Sequence, residues 1–259
     1  MSAMVDHLVA EIIGLNIKLL ACHARLEVST DSEALHDLRT NVRRLRSVLR
    51  PLRGLPGLDQ VEAAAKDVGA LTTPLRDMQV LVAFLDEQGL PEAASKRDQY
   101  LNTACPEVAG SAELNRLFGV LDQLPALLRT QERHGLLDTL ERRIEKRLDK
   151  QWKQLREAMG DPAHDRHRLR LLIKRVRYAG EAYPELSHQP KDMQRRLKAA
   201  QGALGDWHDH LQWLEQARHQ ADLAPCVAGW ELGIHRAEQK SDKVLERLYK
   251  ACFGKHSPR

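Results

Sequence analysis

Residues 35–50 read LHDLRTNVRRLRSVLR and carry two stripes of side chains at helical spacing. With about 100° between successive residues, positions three and four apart share one helix face. The apolar stripe predicts a face packed against a core, and its members are Leu35, Leu38, Val42, Leu45 and Leu49. The adjacent stripe is basic, and its members are His36, Arg39, Arg43, Arg46 and Arg50. This stretch therefore predicts an amphipathic helix with a cationic face.

The same arrangement occurs a second time in the chain. HDLRTNVRRLR from His36 aligns without gaps to HRLRLLIKRVR from His167, at an offset of 131 residues. The matched pairs are His36/His167, Arg39/Arg170, Arg43/Lys174, Arg44/Arg175 and Arg46/Arg177. A weaker match at an offset of 132 aligns PLRDMQVLVAFL with DWHDHLQWL, and Asp77 with Asp209. We therefore expect a single domain over residues 1–259, built of repeat 1 (about 4–130) and repeat 2 (about 135–252).

Apolar residues recur at helical spacing along nearly the whole chain, and alternating runs typical of strands are absent, so the sequence predicts an all-α fold. Asp31-Ser32 is a candidate helix N-cap, while Pro74 and Pro162 suit first helical turns. The predicted helices lie near 4–27, 32–53, 58–70, 75–88, 91–103, 111–130, 135–158, 163–183, 189–203, 206–221 and 226–251.

Composition excludes several classes of protein. The chain has 259 residues, of which 42% are hydrophobic and 29% charged, as in ordinary globular proteins. The longest apolar run, Val80–Leu85, falls far short of the roughly 20 residues of a spanning helix. The first residues lack the basic segment of a signal peptide, so we expect a cytoplasmic location. The cysteines are widely separated and indicate neither a disulfide framework nor a zinc site; they are Cys22, Cys105, Cys226 and Cys252.

Positive charge is concentrated in two segments, although the net charge is only +4. Residues 36–53 hold six arginines and one aspartate, and residues 166–177 hold six basic residues and no acid. Like charges one turn apart repel, so each face favours an anion. A row that rises about 1.5 Å per residue extends for roughly 20 Å, which suits a linear polyanion. The alternative is a solvated or internally salt-bridged face, and the repetition of the basic pattern favours the anion site.

These motifs resemble those of the CHAD family, the conserved histidine α-helical domain. The pattern HxxRxxxRRxR occurs twice, as HDLRTNVRRLR and HRLRLLIKRVR, accompanied by PLRDMQVL and LGDWHDHL. The resemblance covers roughly residues 5 to 252. It implies an all-helical, internally two-fold fold with a central basic groove that binds inorganic polyphosphate without catalysis. From this we expect a binding module that targets itself, or a partner, to polyphosphate granules.

The resemblance assigns the polyphosphate contacts residue by residue. These are His36, Arg39, Arg43, Arg46, His167, Arg170, Lys174 and Arg177, to which the first stripe adds Arg50. The chain departs from the family pattern at Gln79, where an acidic residue is frequent, and at Lys174, where an arginine is usual. The first departure weakens a metal site there, and the second is compatible with phosphate binding.

Further charged residues have secondary roles. Arg44 and Arg175 lie about 100° from the basic stripes, so we expect them to act structurally, with a secondary polyphosphate contact as the alternative. Asp77 and Asp209 are expected to orient motif arginines through ion pairs, with a divalent cation on the ligand as the alternative. Four further cations are secondary candidates for contacting polyphosphate, although a solvated side chain is the favoured alternative at each: Lys18, Arg25, Lys146 and Lys153. For Arg76, beside Asp77, a secondary polyphosphate contact and a solvated side chain are equally favoured.

Other chemistry lacks its motifs. The closest histidine pairs, His164/His167 and His208/His210, do not have the HExxH spacing of zinc proteases. No P-loop, dinucleotide or nucleophile-elbow motif occurs. We therefore expect no enzyme activity and no cofactor, and neither a membrane nor a particular protein partner is indicated.

Nucleic-acid binding is the alternative function, because DNA and RNA are also linear phosphate polyanions. Aromatic residues make up only 4% of the chain, and none of its tryptophans lies within a basic stripe. Stacking platforms for single strands are therefore not indicated. This composition favours polyphosphate.

His36 and His167 open the two basic stripes. A bound polyanion favours the protonated imidazole, so we expect affinity to rise as the pH falls from about 8 to about 6. The alternative is that each ring stays neutral and hydrogen-bonds a neighbouring helix.

Overall fold

The computed structural model describes residues 2–161, 163 and 165–254. Within these residues there is no strand, which confirms the all-α fold. The helices of the described residues are α1 (Ala3–Glu27), α2 (Ala34–Leu49), α3 (Leu58–Glu87), α4 (Pro91–Ala109), α5 (Ala112–Arg133), α6 (Leu140–Met159), α7 (Arg166–Ala182), α8 (Lys191–Ala217) and α9 (Val227–Phe253). Two 3-10 helices span Arg50–Leu52 and Ala221–Cys226.

The chain forms two compact units, which we call unit 1 (Met1–Ile144) and unit 2 (Glu145–Arg259). Unit 1 contains α1 to α5, unit 2 contains α7 to α9, and the boundary falls within α6. The basic stripe of α2 lies in unit 1 and that of α7 in unit 2. Descent of the two units from one duplicated bundle stays a prediction.

Unit 1 is a bundle in which α1 contacts α2, α4 and α5, while α3 contacts the same three helices. Its core receives the apolar stripe predicted from residues 35–50. Leu38 and Leu45 are completely buried, and Leu35, Val42 and Leu49 are at most 3% exposed. The prediction of a core-facing stripe on α2 is therefore confirmed.

Unit 2 is built around α8, which packs against α7 and α9. One apolar cluster joins residues of α6, α7, α8 and α9, among them Leu155, Ile173, Leu197 and Leu248. The predicted core stripe of α7 is buried, with Leu169 and Val176 each 2% exposed. The basic residues of α7 lie beside this buried stripe, and Arg170, Lys174 and Arg177 are half-buried.

The predicted helix break before Pro74 is wrong, because α3 continues through this residue. Proline removes one backbone donor and crowds the preceding turn, which normally ends or kinks a helix. Here, Val61 and Val68 before Pro74 and Leu75 and Leu81 after it are all buried in the same core. Tertiary packing on both sides of the proline offsets the lost hydrogen bond.

The predicted break between residues 203 and 206 is also wrong, since α8 is one helix over Lys191–Ala217. Gly205 lowers helix propensity by about 1 kcal/mol relative to alanine, which is a weak preference. Leu204 is completely buried on one side of it and Trp213 is 6% exposed on the other. Packing against α7 and α9 overrides this local preference.

The start of α2 differs from the predicted Asp31-Ser32 cap. The helix begins at Ala34, and its N-cap residue Glu33 makes no side-chain cap hydrogen bond. The Asp31 carboxylate instead accepts from the Glu33 backbone N–H at 3.0 Å and binds Arg25. Pro162, predicted in a first turn, lies outside the described residues; α7 begins at Arg166, after Asp165 as its N-cap.

Candidate anion-binding faces

Arg39 of α2 is held by neutral oxygen atoms of α3. Its Nη1 donates to the Gly69 carbonyl at 3.2 Å, to the Thr72 hydroxyl at 2.9 Å and to the Thr73 hydroxyl at 3.0 Å. Thr72 is completely buried. These acceptors fix the orientation of the guanidinium without neutralising its charge.

Neighbouring groups leave the surroundings of Arg39 cationic. Burial lowers the pKa of Arg39; Asp77 opposes this shift, and Arg43 and Arg76 lower the pKa further. An arginine retains its charge under such shifts because its ordinary pKa is far above neutrality. Asp77 therefore influences a motif arginine electrostatically, while two cations flank the same guanidinium; an orienting ion pair of Asp77 stays a prediction.

The other members of the α2 face differ in exposure. Arg43 is exposed and donates to the Thr40 hydroxyl at 3.2 Å, whereas His36 and Arg50 are half-buried. Arg50 falls in the 3-10 helix that follows α2. Arg46 is half-buried, and its Nε atom is inaccessible to solvent and has no hydrogen-bond partner among the described residues. A buried charged donor without an acceptor costs free energy in the free protein.

The α7 face of unit 2 gathers His167, Arg170 and Lys174 around a histidine of α8. The rings of His167 and His208 lie 5.7 Å apart between centroids. Burial, followed by the charges of Arg170, His167 and Lys174, lowers the pKa of His208 to about 4. His208 is therefore neutral at pH 7 and does not add to the repulsion among the cations.

Arg177 ends this face in a network of its own. Its guanidinium donates to Gln201 Oε1 at 2.9 Å and forms an ion pair with Glu181 at 2.7 Å. It also lies 4.9 Å from the centre of the Tyr178 ring. Because its side chain is only 16% exposed, Arg177 is mostly engaged within unit 2. Sequence matching paired it with Arg46, whose surroundings are different.

Two secondary candidates are internally paired. Arg25 binds Asp31 at 2.6 Å and Asp37 at 2.7 Å, and these carboxylates raise its pKa. Arg44 donates from Nε to Glu11 of α1 at 2.8 Å. Both arginines thus connect elements within unit 1, which for Arg44 is the structural role that its helix position suggested.

The remaining secondary candidates face solvent to different degrees. Arg76 is half-buried and donates to Gln79 Oε1 at 3.1 Å. Lys153 is exposed and lies 3.9 Å from Glu157. The other exposed members of this group are Lys18, Lys146 and Arg175.

Sequence reasoning missed the residues that hold the cations in place. Thr72, Thr73 and Gln201 carry no charge and have no motif of their own. His208 was considered only as half of a metal pair. A signal was available, because the 132-residue offset that matches Asp77 with Asp209 also matches Arg76 with His208.

A metal site has no support in the part of the chain that the structure describes. No group of three or more His, Cys, Asp or Glu side chains there is arranged to hold a metal ion. His164, considered with His167 in the sequence, lies outside the described residues. None of the helices described here is long and apolar enough to cross a membrane.

The fold and the basic faces of α2 and α7 together define an all-α helical-bundle protein with a row of basic residues in each of its two units. The chain matches the CHAD domain family over residues 11–218, which is most of its length, and it belongs to that family. No curated protein matches it.

The chain shares its fold with solved structures. The crystal structure of the CHAD domain from the plant Ricinus communis is 21% identical, with a TM-score of 0.70, and the match covers 100% of this chain and 94% of that one. PptA from Streptomyces chartreusis is 18% identical, with a TM-score of 0.51, and the match covers 93% of this chain and 99% of that one. At these identities, the similarity establishes the fold alone.

Proposed function

We propose that this protein binds inorganic polyphosphate through the basic faces of α2 and α7, without catalysis, and that it associates with polyphosphate granules in the cytoplasm. The observation that carries this proposal is the way in which the α2 cations are presented. Arg39 is oriented by neutral oxygens, and Arg46 keeps a buried Nε without an acceptor among the described residues. Membership of the CHAD family supports the same assignment.

The spacing of these cations suits a chain of phosphates. Arg39 and Arg46 are seven residues apart, which corresponds to about 10 Å along the helix. A single small anion cannot contact both ends of such a row, whereas successive phosphates of a linear chain can. Guanidinium groups bind phosphate oxygens through paired, charge-assisted hydrogen bonds, and this matches the arginine content of both faces.

Binding without cleavage agrees with the side chains near the faces. Enzymes that transfer phosphoryl groups commonly hold Mg²⁺ with carboxylates close to the reacting phosphate. Near Arg39 the acidic group is Asp77, which acts on that guanidinium, and near Arg177 it is Glu181, which forms an ion pair. We therefore assign these carboxylates to positioning arginines.

A competition experiment tests the proposal against nucleic acid. Labelled long-chain polyphosphate is bound to the protein at one fixed salt concentration and displaced with unlabelled polyphosphate, duplex DNA or single-stranded RNA, matched in phosphate concentration. We expect polyphosphate to displace the label at much lower concentrations than either nucleic acid. Preferential displacement by DNA or RNA would overturn the assignment in favour of nucleic-acid binding.

Granule association requires a separate test in cells. A fluorescent fusion of the protein is expected to coincide with polyphosphate granules, and a fusion carrying Arg39→Ala and Arg43→Ala is expected to lose that pattern. If both fusions remain diffuse in cells that contain granules, the proposed location is wrong.

A further inference from the structure

The two basic faces differ at one corresponding position. The 132-residue offset between the repeated motifs places Arg76 of α3 opposite His208 of α8 in the alignment. Each side chain lies within the electrostatic reach of the cations of its own face: Arg76 lowers the pKa of Arg39 in unit 1, and Arg170 and Lys174 lower the pKa of His208 in unit 2. One face therefore carries a permanent charge where the other carries a titratable group.

The surroundings of His208 explain why it is uncharged in the free protein. From α7, it faces His167 at 5.7 Å between ring centroids, together with the charges of Arg170 and Lys174. On its own helix, Asp206 is bound by Lys240 of α9 at 2.7 Å, so that carboxylate is already paired. A half-buried imidazole beside fixed cations favours its neutral form.

Resting on the proposed function, we propose that His208 is a further polyphosphate-contacting residue of unit 2, neutral in the free protein and protonated in the complex. A phosphate chain lying along Arg170 and Lys174 brings negative charge to the imidazole that faces them. That negative charge favours the protonated imidazole over the neutral one. Both ring N–H groups can then donate to phosphate oxygens. Arg76 supplies the corresponding charge in unit 1 at every physiological pH.

The direction of the pH dependence follows from linkage. The complex holds one more proton at His208 than the free protein does, so binding takes up a proton and affinity rises as the pH falls. The rise amounts to at most about tenfold per pH unit for one proton. It operates below the pKa of His208 in the complex and ends near pH 4, where the free protein also becomes protonated. In unit 1, Arg76 contributes affinity without this dependence.

The experiment measures proton uptake directly. Titration calorimetry of the full-length protein with long-chain polyphosphate, in two buffers of different ionisation enthalpy, gives the number of protons bound at each pH from 8 to 5. We expect uptake by the parent to increase toward pH 5 and uptake by His208→Arg to be smaller by up to one proton. Terminal phosphates of the ligand titrate equally in both titrations, so the difference isolates the side chain.

Three variants serve as controls. His208→Gln removes the titratable group. This variant is expected to lose both the extra proton uptake and the gain in polyphosphate affinity at low pH. It keeps the test decisive if His208→Arg folds poorly. Arg76→His is expected to introduce proton uptake into unit 1. His167→Gln measures any uptake by the neighbouring imidazole, which His208→Arg should leave in place.

The outcomes separate the two proposals. If the parent binds polyphosphate but its proton uptake is unchanged in His208→Arg and His208→Gln, His208 does not become charged and the inference is wrong while the proposed function stands. If the parent does not bind polyphosphate at any pH, the proposed function fails and the inference fails with it.

Discussion

Arg39 Nη1 lies 2.9 Å from the hydroxyl oxygen of Thr72, a residue that is completely buried in unit 1. The same hydroxyl donates to the Val68 carbonyl at 2.8 Å, so it connects the guanidinium to the backbone of α3. A basic group on the surface is thus oriented from inside the core. Losing that connection should affect ligand binding more than folding.

We expect Thr72→Val, which keeps the shape of the side chain but removes the acceptor, to lower polyphosphate affinity about fivefold. This corresponds to about 1 kcal/mol, less than a full charge-assisted hydrogen bond because Gly69 and Thr73 still accept from Arg39. Thr73→Val is the matched control, since Thr73 is exposed and water can replace its hydroxyl. Equal losses in both variants would show that the buried connection has no special role.

Removal of two face cations is expected to weaken binding and preserve the fold. Each charge-assisted hydrogen bond contributes about 1.5–3 kcal/mol before solvent screening. Solvent screening reduces these contributions, so Arg39→Ala with Arg43→Ala, or Arg170→Ala with Lys174→Ala, should lower affinity by about 10- to 100-fold. Fluorescence anisotropy measures the affinity, and circular dichroism on heating measures the fold.

Arg44→Ala is the control for these double variants, because Arg44 lies in the same motif but donates to Glu11. We expect its affinity to change less than about twofold and its stability to fall by about 0.5–1 kcal/mol. If the double variants unfold while Arg44→Ala binds weakly, the basic faces are structural networks and the assignment is reversed.

Binding should depend steeply on chain length and salt. A chain of many phosphates can contact several cations at once and release the associated counterions, whereas triphosphate can contact few. We expect long-chain polyphosphate to bind much more tightly than triphosphate, and its affinity to fall steeply when sodium chloride rises from about 50 to 200 mM. Equal affinity per molecule for both ligands in calorimetry contradicts an extended row of contacts.

The Glu181 carboxylate forms an ion pair with Arg177 at 2.7 Å, so under the proposed function it competes with polyphosphate for that guanidinium. Glu181→Gln should therefore raise polyphosphate affinity about threefold and change stability by less than about 0.5 kcal/mol, as is usual for ion pairs four residues apart on a helix. Glu246→Gln is matched to it, because Glu246 also pairs at four residues' spacing, with Lys250 on α9. An equal gain from both substitutions would indicate a general effect of net charge.

His208 should also make the free protein less stable in acid. Its pKa is about 4 in the folded chain against 6.5 when exposed, so below pH 6.5 the unfolded state binds the proton more readily. Stability therefore decreases as the pH falls from 6.5 to 4, by about 2 kcal/mol for this group after allowance for solvent screening. Urea unfolding of the parent and of His208→Gln isolates the difference, and a constant difference across that range contradicts the prediction.

The periodicity of residues 35–50 determined which face of α2 is buried and which is basic. Helical geometry is local, so a spacing of three and four residues is enough to place Leu38 in the core and Arg39 beside it. The same reasoning located the matching face of α7. Local sequence was sufficient to predict which face of a helix is buried, because that depends on residues within one or two helical turns.

Tertiary structure decided the continuity of α3 and α8 and the state of each cation. Pro74 and Gly205 remain within helices because core contacts on both sides outweigh their local propensity. Arg46 and Arg177 occupy equivalent places in the motif, yet one keeps a buried Nε without an acceptor among the described residues and the other is bound by Gln201. The partner of Arg177 comes from another helix, far along the chain, so no local pattern encodes it. Burial beside cations, which also depends on the packing of several helices, keeps His208 neutral.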